Sequence, residues 1–170
     1  MSAVAVAGAL AAALTREHHD IDAGFEAFLA DLEGPGTAPP DTAPLTRAVT
    51  ALRRHIYLEE AFLFPAMKGA GLFAALLVMH REHGEIWRSM ERLVALTEAL
   101  GDEAGAAERA EVLAECRALL AIVDKHNAKE EPIIYARADA DLAGEAAERL
   151  AEFMRGGSTP PGWVCRAAGA

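Results

Sequence analysis

Two short phrases each occur twice in this chain, and every copy carries a histidine. The first phrase reads LTREHHDI at Leu14–Ile21 and MHREHGEI at Met79–Ile86. The second phrase begins HIYLEEAF at His55 and HNAKEEPI at His126, and each copy of it follows a copy of the first phrase. Such a repeat predicts two similar pairs of helices with histidines at matching positions.

Each histidine takes a place in an apolar stripe where a leucine would be expected. Leu14, His18, Ile21 and Phe25 are spaced by four, three and four residues, which is one face of a helix. Four such stripes follow one another along the chain. Glycine-rich, proline-rich or polar connections separate them, at 33–41, 65–71 and 101–108.

Four long helices with short connections predict an all-α fold, namely an up-down-up-down antiparallel four-helix bundle with a short C-terminal helix and tail. Alanine, leucine and glutamate dominate the composition, which favours helices. We expect one bundle domain over residues 1–155, with the short helix at Asp141–Met154, and a tail over residues 156–170. The tail either folds back through Trp163 to cap an apolar groove or is loose.

The acidic charge of the chain argues against a nucleic-acid partner, because a formal net charge of -10 repels phosphate groups. No segment reaches the roughly 20 apolar residues that span a bilayer, so we expect no membrane partner. Cys116 and Cys165 fit free thiols in a reducing compartment, which predicts a cytoplasmic protein. The opening residues, MSAVAVAGALAAAL, lack a basic leader region and predict the first turns of a helix.

Two carboxylates join the histidines on the inward faces. His55 and Glu59 are four residues apart, as are His126 and Glu130, and this spacing places each pair on one helix face. Taken singly, a buried histidine is more often a hydrogen-bonded core residue, and such a His/Glu pair is commonly a surface ion pair. Together they favour a metal site, because a buried carboxylate is costly unless it is paired or bound to metal. Imidazole and carboxylate ligands suit iron, manganese or zinc, and two bridging carboxylates would hold two ions.

The phrases REHHDI, HIYLEEAFLFP, REHGEI and HNAKEEPIIY resemble, in order and in spacing, the four helix motifs of the hemerythrin-like HHE cation-binding family. The resemblance covers His18 to Ala138 and implies a bundle that holds a non-haem, usually di-iron, centre of two iron ions. Manganese and zinc are possible substitutes. The positions that match the family's metal ligands are His18, His55, Glu59, His83, His126 and Glu130. Glu59 and Glu130 would be the bridging carboxylates.

The chain departs from the oxygen-carrying hemerythrins in its third and fourth motifs. His80 and His83 are three residues apart rather than four, and Glu130 lies four residues after His126, where the oxygen carriers have an aspartate five residues on. His80 is a seventh candidate metal ligand, which would restore a set of five histidines. It could equally support a ligand from outside the centre, or be an ordinary core histidine.

Several neighbouring residues are assigned no role in the metal site. Glu17 and Glu82 point sideways from their helices and are predicted to be solvated charges. Glu60 and Glu131 lie about 140° from the histidines of their motifs, which favours Glu59 and Glu130 as the ligands. Tyr57 and Tyr135 could be redox tyrosines, but packing in the core or at the rim is the stronger expectation.

The resemblance implies a small diatomic or peroxide ligand as the partner. We expect a di-iron protein that binds oxygen, nitric oxide or peroxide for oxygen or redox handling or for sensing. The alternative is a di-iron enzyme that acts on peroxide or nitric oxide, or an iron donor in iron–sulfur repair. A helical module with a decayed, metal-free site is a third reading, and the intact set of six matching residues argues against it.

Overall fold

The computed structural model describes residues 8–35, 38–101 and 104–170, and within these ranges the regular structure is helical with no strand. This confirms the all-α prediction. The first seven residues, where the sequence predicts helical turns, lie outside the described residues. The α-helices are α1 (Ala9–Glu33), α2 (Ala43–Leu58), α3 (Phe73–Glu98), α4 (Ala106–Glu130), α5 (Ala136–Asp141) and α6 (Gly144–Gly156).

The four long helices pack into a helical bundle. α1 packs along α2 and α4, α3 packs along α4, and α2 touches α3. At one end of the bundle, the guanidinium group of Arg109 near the start of α4 donates hydrogen bonds to the carbonyl oxygens of Asp31 and Leu32 near the end of α1, both at 3.1 Å. No helix in the described part of the chain is both long enough and apolar enough to cross a membrane.

The histidines lie between two apolar clusters. In α1, Leu14 belongs to one cluster and Ile21 to the other, and His18 lies between them in sequence. α3 repeats this order around His83. Each fully buried large apolar side chain contributes about 1.5–3 kcal/mol to stability. The two clusters therefore supply the stability that allows a polar layer to be held in the middle of the bundle.

Both helices that carry the second phrase widen into a π-helical turn inside that phrase. We name these segments π1 (Glu59–Leu63) and π2 (Glu131–Tyr135). Pro132 has no N–H group to donate within a regular α-helix, and the structure has π2 there, after which the chain continues into α5. The matching position in π1 is Ala61, so a proline is not required for the wider turn. Single π-turns occur frequently at functional sites.

The tail after α6 folds back onto α2 and α3, and it packs there rather than hanging loose. The ring of Trp163 contacts the rings of Tyr57 and Trp87 at centroid distances of 5.0 and 5.6 Å. A Cβ atom at Gly84 would lie 2.3 Å from the carbonyl oxygen of Ala167, so the close approach requires glycine in α3. Arg88 donates a hydrogen bond of 3.0 Å to the same carbonyl group.

Candidate metal centre

Each of the four long helices contributes one buried histidine, and the Nε2 atoms of these histidines face two buried glutamates. The Nε2 atoms of His55 and His83 lie 3.1 and 3.2 Å from the two carboxylate oxygens of Glu59. The Nε2 atoms of His126 and His18 lie 3.2 and 3.6 Å from one oxygen of Glu130. The structure thus brings together the six residues that match the family's ligand positions.

The other ring nitrogen of each of these histidines, Nδ1, contacts a second glutamate on a different helical segment. These contacts run around the bundle, so that each glutamate reaches the histidine of the next long helix. The Nδ1–carboxylate distances are 2.8 Å for His55 with Glu17, 2.9 Å for His83 with Glu60, 3.1 Å for His126 with Glu82, and 2.9 Å for His18 with Glu131. We call Glu17, Glu60, Glu82 and Glu131 the outer glutamates.

The outer glutamates determine which nitrogen is free to bind a metal. A carboxylate accepts the proton of Nδ1–H, which leaves the lone pair of Nε2 directed inward. The same arrangement fixes the orientation of each ring. It also explains why the phrases repeat. Each copy supplies one histidine that faces the centre and one outer glutamate that contacts the histidine of a neighbouring helix.

The prediction that Glu17 and Glu82 are solvated charges is wrong. Both bond to a histidine, and a cation lies behind each, since Arg54 contacts Glu17 at 3.4 Å and Lys129 contacts Glu82. A residue next to an inward histidine is rotated by about 100° around the helix, so it faces a neighbouring helix. The signal in the sequence was the recurrence of a glutamate beside the ligand positions in all four phrases.

We call the four buried histidines together with Glu59 and Glu130 the inner cluster. This cluster fits a metal because several of its polar atoms have no hydrogen-bond partner. Among the buried atoms without a hydrogen bond are Oε2 of Glu59, Nε2 of His83 and both carboxylate oxygens of Glu130. Glu59 and Glu130 are fully buried, and a buried charge without compensation costs several kcal/mol. A cation between these atoms would satisfy all of them.

The ligand atoms form two overlapping groups, within each of which all atoms lie within 4.8 Å of one another. One group contains Glu59, His83, His126 and Glu130. The other group contains His18, His55 and Glu59. Because Glu59 belongs to both groups, it can bridge two metal ions.

The buried carboxylates of the cluster stabilise positive charge on the groups around them. Burial by itself lowers the pKa of His55, but the charge of Glu59 and the bonds to Glu17 and Glu59 outweigh it and raise that pKa to about 10. Burial also opposes a charged His83, yet its bonds to Glu59 and Glu60 raise its pKa to about 9. Protons on His55 and His83 thus compensate the buried carboxylates, whereas burial and the neighbouring His55 lower the pKa of His18. Metal ions would replace the protons of His55 and His83 when they bind.

Tyr135 is a residue of the centre that the sequence assigned to packing. Its hydroxyl group lies 2.9 Å from Nε2 of His18 and 2.9 Å from Nε2 of His55, and it donates a hydrogen bond to Glu59. Burial, followed by the charges of Glu130 and Glu59, raises the pKa of this phenol well above its usual value. An unbroken α-helix would place Tyr135 about 140° from Glu130, and the wider turn of π2 changes that angle.

The two halves of the centre therefore differ. Tyr135 lies five residues after Glu130, and the residue five positions after Glu59 is Phe64. Its ring stacks on His83 with a centroid distance of 5.5 Å and an interplanar angle of 14°. A hydroxyl group thus lies beside the histidines of α1 and α2, and an apolar ring lies beside the histidine of α3.

A family model for the hemerythrin HHE cation-binding domain matches residues 9–138. The chain belongs to the hemerythrin HHE family. Its cation-binding function is supported both by this match and by the buried histidine–glutamate cluster. No curated protein and no solved structure matches the chain.

The hemerythrin domain encloses a small cavity beside the inner histidines. Its volume is about 10 Å³, which is about the space of one water molecule. The four inner histidines line it together with apolar side chains such as Ile21, Ile56 and Ile86, and Asp22 and Asn127 add polar groups to the lining. Such a cavity suits a very small ligand.

The structure places His80 outside the inner cluster of the hemerythrin domain. Its Nδ1 atom lies 3.3 Å from Oε1 of Glu60, and its ring meets the ring of Phe64 edge-on at 5.3 Å. It groups with Glu60 and with the outward nitrogen of His83, not with Glu59 and Glu130. Tyr57 packs among Phe153 and other aromatic rings, in agreement with its predicted packing role.

Proposed function

We propose that this hemerythrin-domain chain is a non-haem di-iron protein that binds oxygen, nitric oxide or peroxide, for oxygen or redox handling or for sensing. One observation carries the proposal. Four buried histidines direct Nε2 atoms toward two fully buried carboxylates whose oxygens are only partly paired. Histidine-rich sites with carboxylates suit iron, and manganese or zinc could substitute for it.

The residues divide into two half-sites. His18 and His55 would hold one ion, and His83 and His126 would hold the other. Glu59 and Glu130 would bridge the two. When bound, iron supplies open coordination positions and the ability to change oxidation state. The bundle in this proposal is the antiparallel up-down-up-down form, and the contact between the start of α4 and the end of α1 supports it.

The surroundings of the half-sites limit the size of the ligand. The cavity of about 10 Å³, about the space of one water molecule, favours a ligand of very few atoms, such as a diatomic molecule or a peroxide, over a larger substrate. The apolar side chains in its lining, among them Ile21 and Ile86, disfavour charged solutes. The outer glutamates hold the histidine rings in place, so that a ligand can bind without the rings having to reorganise.

Tyr135 favours a second candidate function, turnover of peroxide or nitric oxide. Its hydroxyl group lies within hydrogen-bond distance of His18 and His55, where it can hold or donate a proton beside the ligand site. The two functions differ in one measurement. Consumption of peroxide or nitric oxide over many cycles identifies an enzyme, whereas a reversible spectral change without consumption identifies a binding protein.

The test is anaerobic loading with ferrous iron, followed by elemental analysis and electronic spectroscopy. We expect two iron ions per chain and a spectral change when oxygen or nitric oxide is added. A His83→Ala variant should lose at least one ion. His19→Ala is the matched control, because His19 is exposed on the same helix as His18. Binding of no more than one ion by the wild-type protein would overturn the di-iron proposal.

A further inference from the structure

We propose a third and weaker cation site, formed by Glu60 and His80 outside the di-iron centre, which takes up a divalent transition-metal ion from solvent before it reaches the centre. The proposal rests on the proposed di-iron function for its role. Its location is argued from atoms that the inner centre does not use.

The ligand atoms of this outer site already lie close together. Oε1 of Glu60 lies 3.3 Å from Nδ1 of His80 and 2.9 Å from Nδ1 of His83. The Glu60 side chain is only 6% exposed and that of His80 is 17% exposed. Nδ1 of His80 is buried and has no hydrogen-bond partner of acceptable geometry. A ring nitrogen that faces a carboxylate without a hydrogen bond is stabilised when a cation lies between the two.

The second oxygen of Glu60 is occupied by the tail. The backbone N–H group of Arg166 donates a hydrogen bond of 2.9 Å to Oε2 of Glu60. This bond orients the carboxylate so that Oε1 remains directed toward His80 and His83. The tail thus holds the glutamate in the position that a cation would need.

A surface hollow gives solvent access to Glu60 and His80. It has a volume of about 500 Å³, and most of its wall is apolar, including Phe64, Leu76 and Trp163. Apolar walls lower the local dielectric constant, which strengthens the attraction between a carboxylate and a cation. The net charge of -10 also draws cations toward the molecule. One feature acts against the site, since Arg166, an exposed residue with a positive charge, also lines the hollow.

The imidazole ring of His83 lies between the outer site and the inner centre, and each of its two nitrogens faces one of them. Nδ1 of His83 contacts Glu60, and Nε2 of the same ring contacts Glu59. An ion held by Glu60 is therefore separated from the inner carboxylates by a single side chain. Imidazole with carboxylate suits Fe²⁺, Mn²⁺ and Zn²⁺, and two protein ligands hold such an ion loosely enough for it to move on.

The test titrates Mn²⁺ into the full-length, iron-loaded protein and follows the free ion by electron paramagnetic resonance. Because iron already fills the centre, bound Mn²⁺ reports the outer site. We expect the wild type to bind about one Mn²⁺, and His80→Ala to bind it about tenfold more weakly or worse, while keeping the wild-type iron content. His19→Ala should match the wild type.

A second variant should raise the affinity of the outer site for Mn²⁺ rather than lower it. Arg166→Ala keeps the backbone N–H group on Glu60 but removes a positive charge beside the hollow, so it should tighten Mn²⁺ binding by about twofold. The rate of iron loading should fall in His80→Ala and not in His19→Ala. These variants change exposed or half-buried side chains, and their circular dichroism spectra check that the fold is intact.

Three results would overturn the outer site. They are the absence of Mn²⁺ binding by iron-loaded wild-type protein, unchanged binding by His80→Ala, and loss of iron from His80→Ala, which would assign His80 to the centre instead. Failure of the wild type to load two iron ions would contradict the proposed function, so the two failures are distinguishable.

Discussion

At the scale of single residues, adjacent glutamates differ in burial and in their contacts. Glu130 is fully buried and its two oxygens lack hydrogen bonds, whereas the Glu131 side chain is 33% exposed and bonds to His18 from outside the cluster. In π1, Glu59 is likewise fully buried in the cluster, and Glu60 bonds to the outward nitrogen of His83. One residue of offset along a helix thus separates a carboxylate of the buried cluster from a carboxylate that orients a histidine of another helix.

Replacing the two neighbouring glutamates in turn should give different losses of metal. Glu130→Ala should lose iron, because it removes a bridging carboxylate from the buried cluster. Glu131→Ala should keep both ions but hold the one bound by His18 about 10- to 100-fold less tightly, because His18 loses its orienting partner. Iron content and competition with a chelator measure both effects. A metal-free Glu131→Ala protein beside an intact Glu130→Ala protein would reverse the assignment.

The hydroxyl group of Tyr135 should influence one half of the centre. Tyr135→Phe keeps the ring and the six inner ligands, so both iron ions should still bind. The electronic spectrum and the affinity for nitric oxide should change, because the O–H group beside His18 and His55 is gone. Tyr57→Phe is the control, since Tyr57 packs among aromatic rings away from the centre. Identical spectra for Tyr135→Phe and the wild type would remove Tyr135 from the site.

At the scale of helices and segments, the tail packs directly against α3 at Gly84. The carbonyl oxygen of Ala167 occupies the space that a Cβ atom would take. Trp163 packs against the aromatic rings of α2 and α3, and the backbone of Arg166 contacts Glu60. The tail is therefore part of the support for His83, through Glu60.

A methyl group at Gly84 should displace the tail. We expect Gly84→Ala to lose about 1–3 kcal/mol of stability through overpacking, and to make Trp163 more exposed to solvent. Thermal unfolding and tryptophan quenching measure the two effects. Gly71→Ala is the matched control, because a Cβ atom there meets nothing within 4 Å. Equal melting temperatures for the two variants would show that the tail contact is unimportant for stability.

At the scale of the whole molecule, the bundle holds six polar ligands between two apolar clusters. In the absence of metal, protonated histidines supply the compensating charge, as the raised pKa values of His55 and His83 indicate. Metal ions would satisfy the same carboxylates with more positive charge. Metal binding should therefore contribute to the stability of the entire fold.

Removal of metal should lower the melting temperature by on the order of 10 °C, the result of about 4 kcal/mol of binding energy in a domain of this size. Differential scanning calorimetry of the loaded and chelator-treated protein measures this difference. A Glu130→Ala variant should show a much smaller difference. Equal melting temperatures for loaded and metal-free wild-type protein would mean that the ligands are satisfied without metal.

The sequence by itself determined the four helices, the inward stripes and the pairing of His55 with Glu59 and of His126 with Glu130. These features depend on the geometry within one helix, where residue spacing sets the face on which a side chain lies. For the same reason the inward-facing Glu59 and Glu130 could be distinguished from Glu60 and Glu131.

Only the tertiary structure decided the partners of Glu17 and Glu82, the position of Tyr135 in the centre, the place of His80 outside it, and the docking of the tail on Gly84. Contacts between helices depend on the rotation and distance of neighbouring axes, which the spacing along one helix does not contain. The inward turn of Tyr135 also depends on π2, a change in helical pitch that a regular pattern cannot reveal.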